Sequence, residues 1–180
     1  MTIYTKKGDK GRTATIESNK QNGKLDKDSL RVEAIGAVDE INTFLGIARS
    51  QCVYKEIDAV LFDIQNDLFV LNSKLAGAKI SFTKAKTTKL EKLIDEKMSV
   101  LPKISNFVIN AGSPLATNLQ YARTLARRAE RQTVSLSKEE RLPGALLAYL
   151  NRLSDALWVV SRWVNFEAGI EETIWAIKKK

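Results

Sequence analysis

In the stretch RTLARRAERQTV, Arg123 to Val134, four arginines and one glutamate stand within the nine residues from Arg123 to Arg131. On a helix Arg123, Arg127 and Arg131, spaced by four, share one face, while Leu115, Leu119, Ala122, Ala126 and Ala129 share another. A guanidinium is planar and always charged, and its fixed N–H donors match the oxygens of a phosphate. Such a row can hold a polyphosphate. It can equally be a solvated face with Glu130 paired to an arginine, and the spacing alone leaves both readings open.

A second candidate is TKKGDKGRTAT, Thr5 to Thr15, where Gly8 and Gly11 stand three apart among three lysines and an arginine. Glycines let backbone amides approach an anion, and lysines add point charge. The order of a Walker A loop is absent, and a flexible tail would have the same composition. In YLNRLSDALWVVSRW, Asn151 and Asp155 are four apart, so that Asn151 could read a base or sugar and Asp155 could hold an arginine in place; an ordinary polar patch is the alternative. Asp39 and Glu40 share that ambiguity. The chain has no histidine. A Glu-x-x-His iron site, a Cys/His zinc site and a histidine-assisted nucleophile are therefore excluded, and catalysis must rest on electrostatics and positioning.

These residues need a scaffold. A chain of 180 residues with 44% hydrophobic and 28% charged residues, nine glycines and three prolines reads as one mainly helical domain. The lone Cys52 cannot form an internal disulfide, which points to a reducing compartment. MTIYTKKGDKG lacks the apolar core of a secretory signal, and runs such as GALLAYL fall short of the roughly 20 residues of a membrane span, so a cytoplasmic protein is expected. The net charge of +8, part of it in Lys178 to Lys180, favours anionic partners such as nucleic acid, a nucleotide or a phosphorylated metabolite.

The first 27 residues lack sustained periodicity and read as an extended arm or loop. After Asp28 and Ser29, good cap types, Val32, Ala34, Val38, Ile41, Leu45 and Ala48 predict a helix over Leu30 to Gln51. Ile57, Leu61, Ile64, Leu68, Leu71 and Leu75 predict a second, with Gly77 as its stop. A third runs from Lys84 to Leu101, with Leu90, Leu93, Ile94 and Met98 on one side. Ile104 to Gly112 is a link. Ser113-Pro114 starts a fourth helix that reaches about Leu136, its alanines allowing close approach, and a fifth spans Gly144 to about Ala168. Five amphipathic helices with short links imply an antiparallel bundle.

Taken together, IYTKKGDKGRT, LRVEAIGAVDEINTFLG, FVINAGSPL, ARTLARRAERQTV and YLNRLSDALWVVSRWVN resemble the PduO-type ATP:cob(I)alamin adenosyltransferases, in that family's order and spacing, from residue 3 to about 165. The resemblance implies an all-α fold, a five-helix antiparallel bundle (28–168) preceded by an extended N-terminal ATP-binding arm (1–27) and followed by a tail (169–180). It also implies a homotrimer with sites between subunits. The implied reaction moves the 5′-deoxyadenosyl group of ATP to the cobalt of cob(I)alamin, giving adenosylcobalamin and triphosphate. ATP with Mg²⁺ and cob(I)alamin would be substrates, with a reductase as electron donor, no protein-ligated metal, and neither nucleic acid nor membrane as partner. Reduced cobalt is itself a strong nucleophile, so no side-chain base is needed, and cations stabilise the leaving triphosphate.

Transferred by motif position, Thr5, Lys6, Lys7, Gly8, Thr13 and Ala14 would wrap the nucleotide, and Lys27 would also reach ATP. Arg127, Arg128, Glu130, Arg131 and Asn151 would complete that site. Arg123 would pair with Asp39 of a neighbouring subunit. Phe107 would lie under the corrin and exclude the lower axial ligand, easing reduction of a four-coordinate Co(II) state, and Trp158 would stand near the corrin. Arg127, Arg123, Asp39 and Phe107 form the implied catalytic set. Without the resemblance, Phe107 and Trp158 would read as core aromatics. The chain departs from the family's usual pattern at Lys7, at Asn110-Ala111, in TIESNKQNGKL and at Ala156. Rival readings are a helical nucleic-acid-binding module, whose affinity would fall steeply with salt, and a cobalamin carrier or sensor without turnover.

Overall fold

The computed structural model describes residue 4, residues 6–20 and residues 23–175, so Thr5 and the terminal lysines lie outside the described residues. Five long helices form where the apolar period called for them: α2 (Leu30–Ser50), α3 (Lys55–Leu75), α4 (Lys84–Val100), α5 (Pro114–Glu139) and α6 (Gly144–Glu167). α5 packs between α2 and α6, with α3 against α2 and α4 against α6. On α5, Ala116, Ala122, Ala126 and Ala129 are all fully buried, and their small side chains permit the close approach of its neighbours. Leucines such as Leu68, Leu119 and Leu153 are fully buried as well, each stabilising the bundle by about 2 kcal/mol.

Among the five long helices only α5 has a side-chain cap bond at its start. Ser113 accepts a hydrogen bond from the Ala116 amide at 3.2 Å and Pro114 follows it, as the sequence predicts. Ser29 occupies the cap position of α2, yet its hydroxyl makes no cap bond. α5 continues to Glu139, past Leu136, because SLSKE keeps good helix formers before Pro143. α4 is the least buried long helix. Leu90 is buried, but Met98, expected on the same stripe, is exposed. Its link to α3 is largely ionic: Lys89 Nζ lies 2.6 Å from Asp63 and Lys97 Nζ 2.7 Å from Glu56, and Lys86 pairs with Asp67.

The arm is more structured than an extended segment. Arg12–Thr13 (β1) and Leu25–Asp26 (β2) pair antiparallel, with a short helix α1 (Ile16–Lys20) between them. Arg31 of α2 fastens this unit to the bundle. It donates to Glu17 at 2.7 Å and to the Leu75 carbonyl at 3.2 Å, and it forms an ion pair with Glu140. Burial opposes its charge, but Glu140 and Glu17 outweigh that and hold the guanidinium above its usual value. Gly77, at φ 89°, leaves room for α1; a Cβ there would fall 2.3 Å from the Glu17 Cβ. In the expected C-terminal tail the described residues are likewise structured. Residues 173–175 run antiparallel to 107–109, with the Ile109 amide donating to Thr173 O and the Trp175 amide to Phe107 O, each at 2.8 Å.

Candidate functional site

Helix α5 sets out the arginines of the RRAER segment in two environments. Arg123 is half-buried and its Nε donates to Gln120 Oε1 at 2.9 Å. Gln120 Nε2 in turn donates to the Ser161 hydroxyl at 2.6 Å, and that hydroxyl donates to the Trp158 carbonyl at 2.7 Å. Burial, with the nearby charge of Arg127 second, holds the Arg123 guanidinium below its usual value. Arg127 and Arg131 are exposed, and among the described residues neither has a hydrogen-bond or ion-pair partner. Arg128 forms an ion pair with Glu40 of α2. Among the described residues Glu130 pairs with no arginine, and its Oε1 accepts from Asn151 Nδ2 at 2.9 Å. Asp155 does hold an arginine, but it is Arg152 of its own helix, at 2.6 Å.

Two cavities meet beside Arg123. One, of about 620 Å³, opens between α4, α5 and α6 and is lined by Arg127, Arg152, Asp155 and Met98 among others. The other, of about 790 Å³, is lined by Phe107, Asn106, Asn110 and Ile104 of the α4–α5 link. Arg123 and Trp158 line both. The first cavity, where Glu91, Asp95 and Asp155 face three arginines, therefore shares a wall with an aromatic one.

Phe107 is no core aromatic: its side chain is 81% exposed. Its loop is held at one edge by residues 173–175 and at the base of α5 by Asn165, which accepts from the Ser113 amide at 3.1 Å and donates to Ala111 O at 3.0 Å. Asn165 can reach both because residue 112 is glycine. Gly112 has φ 122°, and a Cβ there would fall 2.2 Å from Asn165 Oδ1. Gly112→Ala should therefore cost about 2 kcal/mol or more of stability, read as a lowered urea midpoint, through backbone strain and two lost hydrogen bonds.

In the arm, Lys6 has φ 58° and its Nζ stands 5.9 Å from the Tyr4 ring, while the Lys7 carbonyl accepts from Lys24 Nζ at 2.6 Å. Gly8 and Lys27 lie together, since a Cβ on Gly8 would stand 3.6 Å from Lys27 Nζ. Thr13 is half-buried in β1 and Ala14 is exposed. Asp39 is exposed on α2 and has no ion-pair partner among the described residues. No group of three or more acidic or thiol side chains among the described residues is arranged to hold a metal ion. Sequence reasoning passed over Gln120, Ser161 and Asn165. Their only signal is a polar residue on an otherwise buried helix face, in NLQYAR and in VVSRWVN.

The sequence matches the family described as cobalamin adenosyltransferase over residues 3–164. A corrinoid adenosyltransferase of Bacillus subtilis is 39% identical over 178 residues, covering 94% of this chain and 90% of that protein. A cobalamin adenosyltransferase of Cupriavidus metallidurans is 35% identical over 175 residues, covering 96% and 93%. Among solved structures, a variant of the PduO-type ATP:corrinoid adenosyltransferase of Lactobacillus reuteri, complexed with cobalamin and ATP, superposes with a TM-score of 0.92 at 34% identity, over 98% of this chain and 100% of that one.

Proposed function

The chain belongs to the cobalamin adenosyltransferase family, and from that premise we propose how its residues act. It is a transferase that moves the 5′-deoxyadenosyl group of ATP to the cobalt of cob(I)alamin. The cobalt electron pair forms the Co–C5′ bond as the C5′–O bond breaks, and triphosphate departs with the bonding pair. No proton moves at the reacting carbon, which suits a chain without histidine.

The observation that supports this reading best is that Arg127, exposed and without a partner among the described residues, lines a cavity that adjoins a second one walled by Phe107 and Trp158, while Arg131, equally exposed and without such a partner, follows one turn on along α5. Arg127 and Arg131, with Mg²⁺ carried by the nucleotide, stabilise the triphosphate. Arg128, Glu130 and Asn151 shape the ATP site, and the arm residues Thr5 to Gly8, Thr13, Ala14 and Lys27 close over the nucleotide. Phe107 and Trp158 face the corrin. The active unit is a homotrimer in the cytoplasm, served by a separate reductase. Asp39 reaches Arg123 of the next subunit, in keeping with its lack of an ion-pair partner among the described residues of its own chain.

Purified protein with Mg–ATP and chemically reduced cobalamin should give the adenosylcobalamin spectrum and one triphosphate per turnover; absence of that spectrum overturns the reading. Sedimentation should give three chains per particle. Gln120→Leu keeps the side-chain volume but frees Arg123, and should lower turnover about ten-fold through loss of a charge-assisted hydrogen bond, with little change in melting temperature. Unchanged turnover would show that Arg123 needs no support from Gln120.

A further inference from the structure

Arg162 of α6 is 3% exposed, in the middle of the apolar run VVSRWV. A charge that deep needs partners, because leaving it unpaired is strongly unfavourable. Its partners come from three parts of the chain. Glu172, beyond the end of α6, accepts from Arg162 Nε at 2.5 Å and from Nη2 at 2.8 Å. Nη2 also donates to the Pro102 carbonyl at 2.7 Å, just past α4, and the guanidinium carbon stands 5.1 Å from the Trp158 ring. The residues immediately after Glu172 are Thr173 to Trp175, which hold 107–109 through two backbone hydrogen bonds. Arg162 thus touches one aromatic of the proposed corrin wall directly and reaches the other, Phe107, through the chain that Glu172 anchors.

We propose that the buried Arg162–Glu172 pair is a latch that sets the position of the Phe107 loop, which makes Glu172 a positioning residue for the corrin side of the reaction. The inference rests on the adenosyltransferase reading. A forked, planar pairing fixes the direction as well as the distance of the segment it holds, which an apolar contact would not do. Once Glu172 is seated, Thr173 and Trp175 have little freedom, and the Ile109 amide and Phe107 carbonyl meet them in register. The link from Ile104 to Gly112 contains no helix, and it gains its definition from this pairing and from Asn165. On the triphosphate side Arg127 and Arg131 ride on α5 and Arg123 is braced by Gln120, so none of the three is bonded to Glu172 or to the ribbon it anchors.

The test is Glu172→Gln in the full-length chain. The KM for cobalamin should rise about ten-fold, the loss expected from one charge-assisted bond, while the KM for ATP stays within about two-fold. Amide hydrogen exchange at Ile109 and Trp175, the two donors of the ribbon, should speed up at least about ten-fold, with the amides of α5 unchanged. Should Glu172→Gln fail to fold, Trp175→Pro and Trp175→Ala carry the same question with the ion pair intact. Both lose the ring, but only proline loses the donor to Phe107 O, so proline alone should add the cobalamin-specific defect. Equal changes in the cobalamin and ATP constants, or unaltered exchange at Ile109, would overturn the latch. If wild-type protein makes no adenosylcobalamin, the functional reading fails, while the exchange data still decide whether Glu172 holds the loop.

Discussion

Replacing Arg127 by alanine should lower adenosyl transfer about a hundred-fold or more, as removal of one preorganised donor does elsewhere, while the melting temperature stays near that of the parent protein. The two halves of this expectation rest on the same observation. Arg127 is exposed and makes no hydrogen bond or ion pair with the described residues, so its removal strands no buried group and opens no core cavity. A side chain that does so little for the fold is free to act on a ligand. It lines the cavity it shares with Arg123, and its charge disfavours the charge of Arg123. Glu91, Asp95 and Asp155 in the same cavity offset part of that repulsion, and the negative charge of a polyanion bound between the two cations would offset more of it. Because that charge grows on the triphosphate as the C5′–O bond breaks, the loss should appear mainly in kcat. Arg127→Lys should restore only part of it, since lysine keeps the charge and loses the fork. Measured turnover equal to wild type in Arg127→Ala would refute the phosphate role.

The bundle was legible because burial and helical period act together along the chain. Ile57, Leu61, Ile64, Leu68, Leu71 and Leu75 are all buried, and the predicted helices end within a residue or two of the observed ones except at the C-terminus of α5. The arm was less legible, because a two-residue hairpin and a five-residue helix are too short to show a period. They hold their shape through Arg31, whose partners Glu17 and Glu140 stand far apart in sequence and leave no local pattern. The C-terminal segment has the sequence of a tail for a related reason. Its strand pairing depends on residues 107–109, and only the charge of Arg162 inside VVSRWV hinted that a distant acid had to reach back.

The site divides in the same way. Periodicity placed Arg123, Arg127 and Arg131 on one face, but it could not say which of them was held and which was free. That distinction comes from Gln120 and Ser161, which turn one arginine inward and leave the other two to solvent. The motif NRLSD located Asn151 and Asp155, yet their partners proved to be Glu130 and Arg152. The acid that meets Arg128 is Glu40, next to the Asp39 for which the resemblance implied a partner in another subunit.

Phe107→Ala should separate the two starting oxidation states of cobalt. Beginning from chemically pre-reduced Co(I), the defect should be about ten-fold, the order expected for losing part of an apolar contact with the corrin. Beginning from Co(II) with a reductant, it should be about a hundred-fold greater. Co(I) carries no lower axial ligand, so in that assay the ring only helps to seat the corrin. Co(II) retains the ligand in water, and under the role proposed for Phe107 an apolar ring in its place would remove it and lower the orbital that must accept the electron. The structure gives the substitution a clean background. Phe107 is 81% exposed, so truncation opens no core cavity, and its backbone carbonyl still accepts from the Trp175 amide whatever the side chain. An exposed phenylalanine held by a ribbon at the rim of a 790 Å³ cavity is poorly explained by the packing of its own chain and well explained by an apolar ligand face. Spectroscopic rates from both starting states, measured alongside thermal melts, decide the point: equal defects would leave Phe107 as a contact surface with no part in removing the axial ligand.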